Sequence, residues 1–184
     1  NMVIQDIDFI LLTHSHYDHC QNAAKIEGMS QAKIISHEKA VPNLKNGFTL
    51  PPKGTNPLTK IIHSILKKIA GNRKQYNPVE PDIVFSNYLD LKEFGLDAKL
   101  LHTPGHSADS LTMIIDNEIA VAGDSVFGVF PHSAFPPFAD DVPELLKSWG
   151  KLLDTNCRLF LPGHGKEVSR KLLEKTLRKM QKNK

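Results

Sequence analysis

The chain has 184 residues, of which 40% are hydrophobic and 23% are charged, and its formal net charge at pH 7 is +3. This size and composition fit one globular domain with a sizeable core, so we expect a single domain over residues 1–184. No run reaches the roughly 18–20 apolar residues that span a bilayer, and the dispersed positive charge argues against a nucleic-acid partner.

The elements predicted first alternate between strand and helix. Residues 7–12 form a short apolar run, which we interpret as a buried strand that delivers residues 13–19 at its carboxyl end. A helix is predicted to start within residues 18–26, and a second strand follows at residues 32–36. This order is typical of α/β layering.

Residues 41–81 break the pattern and are predicted to be a loop-helix insertion, because prolines and glycines punctuate the first half. Residues 58–70 then have helical spacing, with one apolar face and lysines opposite. The apolar face consists of Leu58, Ile61, Ile62, Ile65, Leu66 and Ile69. We expect this helix to pack on the core, and the alternatives are a lid over the active site, a dimer contact or a membrane-surface contact.

The second half of the chain is rich in predicted strands. Short apolar runs bounded by turn-forming residues predict strands at 83–85, 99–102, 111–115, 119–122 and 158–161. Asp116 and Asn117 lie between two of these runs and predict a tight hairpin turn. Helices are predicted at residues 143–153 and 166–182.

The two cysteines, Cys20 and Cys157, are far apart and neither has a second thiol nearby in sequence. This excludes a CxxC metal site and a disulfide framework, and it favours a reducing compartment. The first residues do not resemble a secretion signal. We therefore expect a cytoplasmic location.

Seven imidazole and carboxylate side chains follow the predicted strands, and they are His14, His16, Asp18, His19, His106, Asp124 and His164. In extended backbone alternate side chains point the same way, so the first two histidines can share one ion. The aspartate and histidine past the bend can face a neighbouring ion. Such a set can hold two metal ions with positions open for water and substrate, which favours metal-assisted hydrolysis.

The run at residues 14–19, HSHYDH, matches the HxHxDH signature of the metallo-β-lactamase superfamily, and the later histidine, Gly-Asp and Gly-His turns follow in that family's order. The resemblance covers nearly the whole chain. It implies an α/β fold in four layers, an αββα sandwich with helices outside two sheets. It also implies two metal sites, one with His14, His16 and His106, the other with Asp18, His19 and His164, and a bridging Asp124.

The types of donor atom in this set indicate which metal is bound and which reaction it supports. Five nitrogen and two oxygen donors without a thiolate suit zinc best, with iron or manganese as alternatives. Two such ions lower the pKa of a bridging water from about 15.7 towards 7. Asp18 would orient the resulting hydroxide or pass a proton, as the catalytic carboxylate. We therefore expect a binuclear hydrolase that uses a metal-bridging hydroxide.

Differences between this sequence and known subgroups of the family narrow the range of expected substrates. Asp124 stands where the commonest zinc β-lactamases of this family have a cysteine, which disfavours antibiotic hydrolysis, and residues 161–165 most resemble the thioesterase group. We expect a small ester, thioester or lactone as substrate. The alternatives are a phosphodiesterase acting on nucleotides or RNA and an inactive metal-binding scaffold.

Two side chains outside the ligand set are candidates for substrate binding. Tyr17 lies between predicted ligands, and packing is its alternative role. His132 lies in the loop after Asp124 and can donate a hydrogen bond to substrate, with a solvated loop histidine as the alternative.

Only 12 residues precede Thr13, whereas the family resembled here has several strands before the HxHxDH loop. The N-terminal part of one sheet is therefore expected to be missing, which would leave an unpaired strand edge. We expect a second copy of the chain in a homodimer, or an upstream segment, to cover that edge.

Overall fold

The computed structural model describes residues 3–70 and 75–182, and its strands form two sheets. The first sheet is parallel, in the order β1 (Phe9–Leu11), β2 (Lys33–His37) and β3 (Ile83–Phe85). The second sheet has six strands in sequence order, and only its β7–β8 pair is parallel. Its strands are β4 (Tyr88–Asp90), β5 (Ala98–His102), β6 (Leu111–Ile115), β7 (Ile119–Gly123), β8 (Leu159–Pro162) and β9 (Val168–Ser169).

Six α-helices surround the sheets, namely α1 (Tyr17–Cys20), α2 (Ala23–Ser30), α3 (Val41–Asn46), α4 (Pro57–Ala70), α5 (Val142–Leu153) and α6 (Arg170–Lys182). The start of α5 is encoded locally, because the Asp141 carboxylate accepts a hydrogen bond from the Glu144 backbone N–H at 2.9 Å. None of the helices in the described part of the chain combines the length and apolar character needed to cross a membrane.

The buried hydrophobic side chains form three clusters, one in each space between the four layers of helix, sheet, sheet and helix. Alternate residues of β2 face opposite ways, so Ile34 packs with Leu44 under α2 and α3, whereas Ile35 packs with Leu100 between the two sheets. A third cluster around Trp149 joins the second sheet to α5 and α6. The predicted αββα sandwich is therefore confirmed.

Several local predictions differ from the structure. The helix predicted within residues 18–26 is divided into α1 and α2 by a turn at Gln21 and Asn22. The short strands β4 and β9 were not predicted, because two or three residues carry little periodicity. The hairpin turn is confirmed, since Asp116 and Asn117 have φ values of 50° and 58°, as a type I′ turn requires.

The segment predicted as an insertion, residues 41–81, contributes to the core at both of its ends. Leu44 of α3 is fully buried, and Tyr76 and Val79 pack in the same cluster under the first sheet. Only the middle of the segment, around α4, lies outside the buried clusters of the described chain.

The expectation that residues 58–70 pack their apolar face on the core is wrong. The six large apolar residues of that face are between 37% and 75% exposed. The helix is held instead along another side, where Thr59 is buried and the His63 ring is hydrogen-bonded to the Pro52 carbonyl at 2.9 Å. Helical spacing reveals an apolar stripe, but it does not specify what covers the stripe.

Candidate metal centre

The seven side chains predicted as metal ligands converge at one edge of the sandwich. Their donor atoms form three overlapping groups, each with mutual distances within 4.8 Å: His14, His16 and His106; His14, His19 and Asp124; and Asp18, His19 and His164. The first loop follows β1, and the three later turns follow β5, β7 and β8. The strand ends therefore deliver all seven groups to one place.

Three buried histidines form one side of the cluster. His106 Nε2 and His16 Nδ1 lie 3.0 Å apart, and the His14 and His16 rings meet edge to face with centroids 4.6 Å apart. The other nitrogen of His106, Nδ1, is 3.0 Å from the Phe138 carbonyl oxygen and can donate to it. With that tautomer His106 presents the Nε2 lone pair to the cluster, as a metal ligand must.

Asp124 lies between this trio and the remaining groups. Its Oδ2 atom is 3.7 Å from His106 Nε2 and 3.5 Å from His164 Nε2, while Oδ1 is 3.5 Å from His19 Nε2. Asp18 closes the second side, because its Oδ2 lies 3.1 Å from His164 Nε2. One carboxylate thus contacts both halves of the cluster, the position from which it can bridge two ions.

Burial and mutual proximity set the protonation of the cluster. Burial lowers the pKa of His14 and His106 and, with the neighbouring His106, lowers that of His16 to about 3. Burial opposes charge on Asp124 too, but the nearby imidazoles of His19, His106 and His164 lower its pKa overall. The buried trio is therefore neutral at pH 7 and Asp124 is ionised, which are the forms that bind metal.

Three buried polar atoms of the cluster have no hydrogen-bond partner among the described residues. They are His14 Nε2, His19 Nε2 and Asp124 Oδ1. An unsatisfied buried polar atom costs about 1–3 kcal/mol, and native proteins contain few of them. All three belong to one group of converging donors, so the residues fit metal ions as their missing partners.

A buried network behind the first loop holds the ligands in place. Between the two histidines, the Ser15 backbone N–H donates to the buried Asp109 carboxylate at 2.9 Å. The Ser15 carbonyl accepts from Thr49 Oγ1 at 2.6 Å and from the Tyr76 hydroxyl at 3.0 Å. Sequence reasoning missed these supporting residues, because nothing in the sequence links Ser15 with a carboxylate 94 positions away.

Helix α5 braces the later turns from the other side. Trp149 Nε1 donates to the Ser125 carbonyl at 2.6 Å, directly after Asp124, and Ser148 Oγ donates to the Pro104 carbonyl at 2.6 Å. Gly105 has a φ of 135°, and a Cβ there would collide with the Leu145 backbone of the helix. The proline-glycine turn before His106 therefore depends on this close approach.

The cluster opens into a cavity of about 640 Å³. Tyr17 lines it, as the predicted substrate contact requires, together with Asp18, Asp124 and three of the histidines. His132 is exposed and is not among the residues that line this cavity, and its contact with substrate stays a prediction. The same loop brings Phe138 to the cavity wall.

Cys20, at the end of the first ligand loop, is buried and its Sγ donates to the His14 carbonyl at 3.3 Å. Burial raises the pKa of this thiol to about 12. The thiol is therefore a packing and hydrogen-bonding group and does not form a nucleophile at neutral pH.

Comparison with known proteins gives a consistent set of relatives. The family model described as "Metallo-beta-lactamase superfamily" matches residues 4–164. A Methanocaldococcus jannaschii protein named "Probable metallo-hydrolase MJ0888" is 28% identical over 177 residues, which cover 88% of this chain and 71% of the relative. The Aspergillus fumigatus atrochrysone carboxyl ACP thioesterase is 33% identical over 72 residues, or 39% of this chain and 21% of the relative.

The solved structures agree on the fold. ST1585 of Sulfolobus tokodaii, an archaeal metallo-β-lactamase superfamily protein, superposes with a TM-score of 0.65 at 22% identity. The superposition covers 95% of this chain and 68% of that structure.

Proposed function

Because the chain belongs to the metallo-β-lactamase superfamily, we propose that it hydrolyses a small ester, thioester or lactone at a binuclear metal centre. The chain is a hydrolase of this superfamily, with a cluster of histidines and aspartates able to bind metal. The observation that carries the finer proposal is the convergence of seven donor residues. Five of them line one cavity, and three have a buried atom without a hydrogen-bond partner among the described residues.

Each ligand has an assigned place in this proposal. His14, His16 and His106 would hold one ion, and Asp18, His19 and His164 would hold the other. Asp124, which lies between the two sets, would contact both ions. Zinc is the metal that best suits these nitrogen and oxygen donors, with iron and manganese as alternatives. When bound, the ions supply hydroxide near neutral pH and polarise the substrate carbonyl.

In this proposal Asp18 is the residue that transfers the proton. Its side chain is 51% exposed and lines the cavity, while Oδ2 lies 3.1 Å from His164 Nε2. In hydrolysis the water oxygen bonds to the acyl carbon and the bond from that carbon to the leaving oxygen or sulfur breaks. Asp18 accepts the proton that water loses and returns it to the leaving atom.

Four further features support the acyl substrate and the setting of the reaction. Asp124 is a carboxylate where the commonest zinc β-lactamases have a thiolate, and one relative is named a thioesterase. Tyr17 lies within the loop of residues 13–19 and lines the cavity, and in this proposal it contacts the substrate. Both cysteines are free and buried, which suits a cytoplasmic location.

The test measures bound metal and turnover on the same preparation. We expect two metal ions per chain and hydrolysis of phenyl acetate, its thioester analogue or butyrolactone. Turnover should stop after chelation and return with zinc. Turnover confined to bis-p-nitrophenyl phosphate would replace the proposal with a phosphodiesterase, and two bound ions without turnover on any substrate would replace it with a scaffold.

A further inference from the structure

The inner edge of helix α4 forms part of the wall of the cavity that contains the metal cluster. Leu66 and Ile69 line the cavity together with His16, Asp18 and Asp124. These two residues belong to the exposed apolar face of the helix, so they are not held in place by a core of their own. This part of the apolar face differs from an ordinary exposed stripe, because a substrate bound in the cavity would cover Leu66 and Ile69.

The cavity lining is apolar on several sides. Besides Leu66 and Ile69, the lining includes Phe127, Phe138 and Pro137, which come from the loop after Asp124 and from its start. Apolar surface in a concave site gains free energy when a ligand removes it from water. The reacting carbonyl needs only the metal cluster, so this wall is free to contact the rest of the substrate.

Few polar side chains of the described lining lie outside the proposed metal ligands. The charged or ionisable members among the described residues are all proposed metal ligands apart from Tyr17, and no described lysine or arginine lines the cavity. Thr49 Oγ1 donates to the Ser15 carbonyl, and Gln75 Oε1 accepts from the Thr49 backbone at 3.3 Å. A phosphate or carboxylate group deep in the cavity would therefore find no cationic side chain of the described chain to pair with.

The volume is far larger than an acetyl group needs. About 640 Å³ lies well within the roughly 300–1,000 Å³ of sites for small organic ligands. We propose that the cavity selects an apolar acyl group larger than acetyl, and that Leu66 and Ile69 of α4 are its specificity-determining contacts. The inference rests on the proposed acyl hydrolysis and names the class of acyl group.

Chain length is the property to vary, because each fully buried methylene raises kcat/KM about fourfold, equivalent to about 0.8 kcal/mol. The substrates are the p-nitrophenyl esters of acetate, butanoate and octanoate, used with the zinc-loaded protein. We expect kcat/KM to rise by at least roughly tenfold from acetyl to octanoyl. A flat series with measurable acetyl turnover would overturn this inference and leave the proposed hydrolase intact.

Matched variants on one helix separate a cavity contact from a general effect on α4. Leu66→Asp and Ile69→Asp place a carboxylate in the lining and should lower the octanoyl-to-acetyl ratio by about tenfold. Ile61→Asp, on the same face but outside the lining, should keep the wild-type ratio. An equal fall in all three variants would assign the effect to the helix surface and overturn the inference.

A binding measurement keeps the test independent of turnover. Calorimetric titration with octanoate and with acetate compares the affinities of two carboxylates that differ only in the apolar chain. Tighter binding of octanoate in the wild type and in Ile61→Asp, lost in Leu66→Asp, supports the inference even if no ester is hydrolysed. Equal binding of both carboxylates by the wild type contradicts it.

Discussion

The contact between Asp109 and the first ligand loop gives a prediction with a defined size. In Asp109→Ala the Ser15 backbone N–H, which now donates to the carboxylate at 2.9 Å, is left buried without a partner. Such a loss costs about 1–3 kcal/mol of folding free energy. For a chain of this length that corresponds to a fall in Tm of roughly 2–12 °C.

The same change also affects the metal ligands, because Ser15 lies between His14 and His16. Removing a group that orients metal ligands typically weakens metal affinity by about 10–100-fold. Asp109→Asn keeps an acceptor oxygen of the same shape and should recover most of both losses. Calorimetric unfolding of the metal-free protein and competition titration with a zinc chelator measure the two effects. Wild-type Tm and zinc affinity in Asp109→Ala would refute the support assigned to this carboxylate.

Three further outcomes follow from the cluster itself. Asp124→Ala should lower the metal content measured by atomic absorption, and a stoichiometry equal to that of the wild type would contradict the bridging position. Gly163→Ala places a Cβ against the Asp124 carboxylate and the His19 ring, so zinc affinity should fall by about 10–100-fold, whereas Gly150→Ala, whose Cβ meets nothing within 4 Å, should retain it. Burial lowers the pKa of His16 to about 3 from its ordinary 6.5, so the unfolded chain takes up protons first. Urea unfolding of the metal-free protein should therefore show stability falling as pH drops from 6.5 towards 3, and a pH-independent profile there would contradict this.

The ligand set was accessible from sequence because each donor directly follows a short apolar run. His106 and His164 lie in proline-glycine turns after β5 and β8. The strands β5, β7 and β8 run in the same direction, so their carboxyl ends lie at one edge of the second sheet. The six-residue run that begins at His14 supplied four candidate ligands, and the turn after β7 supplied Asp124. Local pattern therefore predicted the convergence, whereas the four layers were implied by the resemblance to a known family.

The supporting and lining groups could not be predicted in the same way. Asp109 and Tyr76 meet at Ser15 only after three distant segments pack together, and no periodicity connects them. For the loop after Asp124, polarity favoured His132 as a substrate contact, and sequence gave no sign that the backbone path brings Phe138 to the cavity wall. The apolar stripe of residues 58–70 identified helix α4 correctly. Which residues pack against that stripe depends on the path of the flanking loops, which the spacing does not specify.

The donors are divided between the two sheets. His14, His16, Asp18 and His19 follow β1 of the parallel sheet, whereas His106, Asp124 and His164 follow strands of the six-stranded sheet. Ions bound by this set would cross-link the two sheets at this end of the sandwich. Metal binding would then stabilise the whole fold, because the two sheets could separate at that end only after the ions had dissociated.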